Sequence, residues 1–358
     1  MKIVVSPDSF KGTMSAFEAA GAMRRGLLHS FPDAEIVMLP VGDGGEGTLE
    51  AIAASLPDMV RVSVDTVDPL RRPIRTSYYI SEEKTAFIES AAASGLTLLH
   101  PHERDIFKAD TYGTGLLIAD AFRRGIRRFV VCMGGTATCD GGYGAFLALG
   151  TLDLSDCEFN LLCDVTNPLC GHRGAAAVFG PQKGAGPGDI PLLDEMLREK
   201  GAFYESLRGV NVADAPFAGA AGGLAAMLMA CFGAIPKRGI EEVLRLIRFR
   251  ERIEGADLII TGEGRADATT LSGKAPSGIL EEAVKAGVPV VLICGKIVDA
   301  DALRRAGFAD AIQATPDHPD PAVSPADYLA MAVKRALPRP SPLNSDQGKE
   351  RGTPGLTE

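Results

Sequence analysis

Residues 259–274 read IITGEGRADATTLSGK, and the fold assignment turns on them. The apolar run Leu258-Ile259-Ile260, entered from Gly255-Ala256-Asp257, has the length and composition of a buried strand. Glu263, Arg265 and Asp267 then crowd around Gly262 and Gly264, and Ser272-Gly273-Lys274 leads into a helical pattern near 275–286. In an open α/β sheet, ligands bind outside the carboxyl ends of the strands. A glycine-rich turn at such an end, carrying two acids, an arginine and a lysine, has the groups needed to handle phosphate and a metal ion. A plain strand-to-helix turn needs neither so many glycines nor so many charges.

The same strand–loop–helix rhythm extends outward from this stretch. Residues 2–6 (KIVVS) read as a buried strand, followed by the loop PDSFKGTMS with Asp8, Ser9 and Lys11. Ser15 and Glu18 match a capping box, and Phe17, Ala20, Leu27, Leu28 and Phe31 are assigned to one helical face. A second strand is expected at 35–39, and VPVVLICG and ADAIQAT continue the series after residue 287. Between them the pattern changes. VRVSVD, PIRTSYYI and KTAFIES alternate with short connections, the last two reading as a hairpin. The parallel rhythm returns near Glu254. The chain therefore reads as α/β, with one domain inserted into another: residues 1–75 and 254–337 form the discontinuous domain, and 76–253 the insert. Residues 338–358 (PRPSPLNSDQGKERGTPGLTE) have the composition of a disordered tail.

Composition narrows the function. At 358 residues the chain has room for about two domains. Its net charge of -9, from 37 basic and 46 acidic residues, argues against a general binder of nucleic acid or anionic membrane. Seven cysteines without a CxxC pair do not make a disulfide scaffold. Cys163, Cys170 and His172 lack a further ligand pair at zinc spacing. The N-terminus MKIVVSPDSF is too short an apolar run for a signal peptide, and no run approaches the roughly 18 residues of a membrane helix. A cytoplasmic location is expected, with no nucleic-acid or membrane partner and homo-oligomerisation left open.

Several loops share the chemistry of the opening stretch. PVGDGGEGT matches G-x-G-x-x-G at Gly42, Gly44 and Gly47, but Asp43 and Glu46 would repel a pyrophosphate and suit Mg²⁺ better. GGTATCDGG (134–142) offers Gly134, Gly135 and Thr136 for close backbone approach to an anion, together with Asp140. CDVTNPLCG carries Asp164 and Asn167, and FGPQKGAG sets Lys183 between glycines. No P-loop is present: Ala268 stands where its first glycine belongs, and Ala275 replaces its Ser/Thr. None of the five histidines pairs with a plausible nucleophile. Acids and cations on loops at strand ends match metal-assisted phosphoryl transfer.

In order along the chain, SPDSFKG, PVGDGGEGT, ESAAASGL, TYGTG, GGTATCDGG, CDVTNPLCG, FGPQKGAG, GAAGGL, TGEGRAD and LSGKAP together resemble the glycerate kinase family. The resemblance covers nearly all of residues 1–337. It implies a flavodoxin-like discontinuous domain, an inserted α/β domain and a site between them. It further implies ATP-dependent phosphorylation of D-glycerate with Mg²⁺, at the 2-hydroxyl in bacterial members. Phosphorylation at the 3-position, or a non-catalytic binding relative, are the alternatives. The chain departs from the family's usual pattern at Gly42, Leu116, Cys139 and Ala266, and it has only TLDLSDC between Gly150 and Glu158.

On this resemblance, the catalytic set is Asp8, Lys11, Asp43, Glu263, Arg265 and Asp267. Asp43, Glu46 and Asp267 are the metal ligands. Ser9, Gly44, Gly45, Glu46, Gly134, Gly135, Thr136, Asp140, Asp164, Asn167, Lys183 and Lys274 form the substrate and nucleotide set. Which carboxylate acts as base stays open.

Overall fold

A computed structural model describes residues 1–45, 47–56, 58–271 and 273–337. Glu46 and the expected tail 338–358 lie outside the described residues. In chain order the described strands are β1 (Lys2–Val5), β2 (Glu35–Met38), β3 (Val60–Val67), β4 (Pro73–Ile80), β5 (Thr85–Glu89), β6 (Arg128–Cys132), β7 (Glu158–Cys163), β8 (Ile235–Arg238), β9 (Leu258–Thr261), β10 (Arg265–Ala266), β11 (Val290–Cys294), β12 (Lys296–Ile297) and β13 (Asp310–Gln313). They form two main sheets and the small pair β10–β12.

The first sheet has the order β2-β1-β9-β11-β13 and is parallel throughout. Numbered within this sheet alone, that order is 2-1-3-4-5, the flavodoxin-like winding. Its strands are short apolar runs because helices cover both faces. Ala16–Ser30 and Pro325–Ala336 pack against Ile3, Val5 and Ile260 on one side. Ala275–Ala286 packs against Val4, Ile259 and Leu292 on the other. Ala16–Ser30 begins with the capping box read from the sequence: Ser15 Oγ accepts from Glu18 N–H and the Glu18 carboxylate from Ser15 N–H. Of the face assigned above, Ala20 and Leu27 are buried, together with Ala19 and Met23, whereas Phe17 is exposed.

The second sheet runs β3-β4-β5-β6-β7-β8, antiparallel through β5 and parallel from β5 onward. The change of sheet falls at Val60, ahead of the expected boundary at Arg75. β3 pairs with β4 along its whole length, Val60 with Ile80 and Val67 with Pro73. An alternating strand tied by a five-residue turn to another alternating strand closes on that neighbour first. The stretch after β8 forms two helices, Gly239–Leu246 and Phe249–Arg252, broken at Arg248, whose φ is 51°.

The two sheets share a core. Val4, Leu39 and Ile52 belong to one buried cluster with Phe87, Val130 and Leu162 of the second sheet, and with Ile240 and Val243 of helix Gly239–Leu246. Each such side chain contributes about 1.5–3 kcal/mol by leaving water. This shared core holds the carboxyl ends of β1, β2 and β9 against those of β6 and β7.

Candidate active site

Three neighbouring strand ends supply acids to one cleft. β1 leads through Ser6-Pro7 to Asp8, β2 through Leu39 to Asp43, and β9 through Gly262 to Glu263. Backbone pairing continues beyond the strands proper: Ser6 N–H donates to Ile260 C=O at 2.8 Å, Asp8 N–H to Gly262 C=O at 2.8 Å and Val41 N–H to Pro7 C=O at 3.0 Å. Buried hydroxyls reinforce it, with Thr261 Oγ1 on Ser6 C=O and Ser6 Oγ on Leu39 C=O. Gly262 is required here, since a Cβ would collide with Ile293 C=O. The point where the winding reverses, between β1 and β9, is the place where open α/β sheets bind ligands.

The cleft has a volume of about 430 Å³ and is lined by Asp8, Ser9, Lys11, Asp43, Glu263, Arg265, Asp267 and Lys274. It thus brings together all six expected catalytic residues and two of the expected binding ones. Lys296 and Thr315, which follow β11 and sit beyond β13, complete the wall and were missed in the sequence. The signal for Lys296 was present: Gly295-Lys296 follows its strand as Gly262-Glu263 follows β9.

The acids differ in how they are held. Burial, then the neighbouring Asp43 carboxylate, pushes the Asp8 carboxyl up to about 8, against the opposing pull of Ser9 N–H on its Oδ1 at 2.6 Å. Burial likewise raises Glu263, though Thr270 Oγ1 donates to it at 2.6 Å and Lys274 Nζ lies 3.3 Å away. Asp267 is held below its usual range by Thr269, whose hydroxyl and N–H both donate to Oδ1, and it lies 3.6 Å from Arg265. Burial alone would lower Lys11, but Asp43, Asp8, Asp164 and Glu263 together hold its ammonium above the usual value. Asp164, at the end of β7, therefore faces the same cluster from the second sheet. Burial of its carboxyl, then the Asp43 carboxylate, raises Asp164, although part of the residue stays open to solvent.

A cleft with acids on one floor and cations around it can take a polyanion whose counter-charge arrives with it. It can also hold a carboxyl whose proton affinity lies near neutrality, as general base chemistry requires.

A family model described as "Glycerate kinase family" matches residues 3–156 and 151–332. Glycerate 2-kinase of Escherichia coli K12 is 42% identical over 329 residues, covering 84% of this chain and 86% of that protein. Glycerate kinase of Bacillus subtilis 168 is 39% identical over 339 residues, covering 86% and 88%. The chain belongs to the glycerate kinase family. A crystal structure of a protein provisionally named glycerate kinase 2, from Salmonella typhimurium LT2, has the same two-domain α/β fold. It is 36% identical, with a TM-score of 0.76, and covers 94% of this chain and 97% of its own.

In this member of the glycerate kinase family, the remaining expected residues sit apart from the cleft floor. Gly44 and Gly45 contact the second sheet: Gly134 N–H donates to Gly44 C=O at 3.0 Å, and a Cβ on Gly134 would press on Gly45 Cα. Gly134 thus braces the loop that carries Asp43, while Gly135 C=O accepts from Leu96 N–H and Thr136 bridges to Gly95. Asp140 is consumed locally. It accepts from Thr111 N–H and Oγ1–H, Gly142 N–H and Gly144 N–H at 2.8–3.1 Å, tying together the starts of helices Tyr112–Arg123 and Tyr143–Leu149. Burial raises its carboxyl despite these donors. Lys183 is buried, its ammonium lowered by burial, and donates to Thr136 Oγ1 at 3.2 Å and Thr138 C=O at 2.7 Å. Asn167 donates to Arg173 C=O and accepts, through its own carbonyl, from Gly219 N–H. Cys139 is buried behind the loop, and Ala266 is fully enclosed where β10 pairs with β12. Among the described residues, no helix is long and apolar enough to cross a membrane.

Proposed function

We propose that the protein transfers the γ-phosphoryl group of ATP to the 2-hydroxyl of D-glycerate, giving 2-phosphoglycerate and ADP. The observation that carries this reading is the convergence of Asp8, Asp43 and Glu263 on adjacent strand ends, facing Lys11 and Lys274 across one cleft, in a chain related over most of its length to a glycerate 2-kinase. Lys11, Lys274 and Arg265 take the nucleotide phosphates and the glycerate carboxylate, where fixed cations offset charge that grows as the phosphoryl group moves. Asp8 accepts the proton of the 2-hydroxyl. The hydroxyl oxygen bonds to the γ-phosphorus as the bond to the ADP oxygen breaks.

The donors facing the cleft fit a hard divalent cation: they are carboxylate oxygens, without imidazole or thiolate. Among the described residues no three His, Cys, Asp or Glu side chains gather closely enough to cage a metal. Mg²⁺ takes one or two carboxylates and completes its shell with water and substrate phosphates. Asp43 and Asp267 are the residues that would hold it, and it would supply neutralisation of the phosphate charge. The proposal includes a cytoplasmic location. We also read the chain as two domains, 1–59 with 239–337 around the first sheet and 60–238 around the second.

The test is ³¹P NMR of purified protein with ATP, Mg²⁺ and D-glycerate. The expected resonances are those of ADP and 2-phosphoglycerate. ADP formation no greater than in a glycerate-free blank would overturn the kinase, and a 3-phosphoglycerate resonance would overturn the regiochemistry alone.

A further inference from the structure

Helix Ile190–Arg208, the longest among the described residues, turns Leu193, Leu197 and Tyr204 into the core of the second domain. The flank beside that buried face is apolar too. Leu192, Met196, Phe203 and Leu207 are exposed by 60%, 38%, 37% and 49%. At helical spacing these four fall within one narrow stripe. The neighbouring helix Tyr143–Leu149 widens the stripe with Leu147, itself 47% exposed. The platform is stiff: the Phe203 ring meets Phe146 edge-on at 5.5 Å, and the buried Tyr204 hydroxyl donates to Gly141 C=O. A contiguous apolar face of this size on a folded surface marks an interaction site, and its rigidity lowers the cost of binding.

The pattern along the stripe identifies the partner. Leu192 and Leu207 are equidistant from the midpoint between Glu199 and Lys200, and so are Met196 and Phe203. Laid antiparallel on its own copy about that midpoint, the helix sets leucine against leucine and methionine against phenylalanine. At the axis, Glu199 of each copy meets Lys200 of the other. Lys200 is positioned for this, its ammonium lying 3.6 Å above the Tyr143 ring at the edge of the stripe. A surface complementary to itself under a two-fold rotation is what an isologous dimer requires. We propose that two copies of this chain pair through helix Ile190–Arg208 as an antiparallel, two-fold dimer. The opposite charges at the axis set the register, and the apolar pairs supply the affinity.

Sedimentation analysis of the full chain across a concentration series tests this. The wild type is expected to be dimeric at about 100 μM, a concentration that reveals even modest affinity. Phe203→Glu is expected to be monomeric there, with kinase activity per folded molecule unchanged, since the residue lies outside the cleft. Glu199→Lys and Lys200→Glu should each weaken the dimer at least about tenfold, and the double exchange should restore it, because only a self-pairing helix regains its complement. A monomeric wild type, a dimeric Phe203→Glu protein, or a double exchange no better than either single variant would overturn the proposal.

Discussion

Loops 262–274 and 134–142 draw on the same inventory of glycines, hydroxyls and acids, yet their charges do opposite things. In the first, Glu263, Asp267 and Lys274 line a cleft, with only part of their bonding capacity met by neighbours. In the second, Asp140 is enclosed by four donors, and the nearby Lys183 is spent on Thr136 and Thr138. The difference arises from what lies beyond the strand. β9 ends at the reversal of the winding, where the next loop opens into the cleft. β6 ends beneath helices whose unpaired N–H groups need an acceptor. An acid whose partners are all provided by the chain has nothing left for a ligand; one that is raised, buried and short of donors does.

Substitutions at matched positions sharpen that contrast. The largest effect is expected at Asp8. Asp8→Asn should lower kcat by about 10²–10⁴-fold, the usual contribution of a general base, with the fold intact. The pH dependence goes with it. Because the Asp8 carboxyl is pushed up to about 8, kcat/KM of the wild type should fall roughly tenfold per pH unit below that value. The stability sign is opposite to that of a salt-bridged acid. The native state keeps a proton that the unfolded chain, with a carboxyl near 3.8, has released. The ligand-free protein should therefore lose stability as pH rises from about 4 to about 8, and Asp8→Asn should flatten that slope in a thermal melt.

Asp140→Ala is the matched change in the closed loop. Leaving Thr111 and Gly144 N–H buried without an acceptor should cost about 2–4 kcal/mol in a denaturant titration, while kcat per folded molecule stays near wild type. A large kcat loss at unchanged stability would assign Asp140 to the cleft after all. Lys11→Ala removes one of several cations, and about a tenfold loss of kcat, near 1.4 kcal/mol of barrier, is expected. The smallest effect should come from Lys183→Met. A buried ammonium replaced by an apolar chain of similar shape should change stability by about 1 kcal/mol and leave the KM for ATP unmoved. A raised KM would mean that Lys183 reaches the nucleotide.

Much of the cleft was legible because its chemistry sits directly after apolar strands. Asp8, Asp43 and Glu263 each follow a run that periodicity identifies, and strand ends in a parallel sheet point to one edge. The Ser15/Glu18 capping box was legible for the same reason, being complete within four residues. β8 was not: Ile235-Pro236-Lys237-Arg238 has neither alternation nor apolar content. It is a strand because β7 needs an edge partner and because Lys237 finds Glu242 at 3.2 Å. Helix Pro325–Ala336 carried a readable start, with Ser324 accepting from Asp327 N–H and proline in its first turn, but no element was assigned between ADAIQAT and residue 337.

By itself the sequence determined the α/β class, the insertion of one domain in another and the acids and cations of the opening stretch, since these rest on periodicity and on residues close together in the chain. Tertiary structure decided which glycine-rich loop is a site and which is a brace. That choice depends on where Asp140 and Lys183 find donors and acceptors 29 and 45–47 residues away. A hydrogen bond formed over such a distance leaves no mark on local composition. It exists only once packing has brought the two segments together and excluded the water that would otherwise satisfy them.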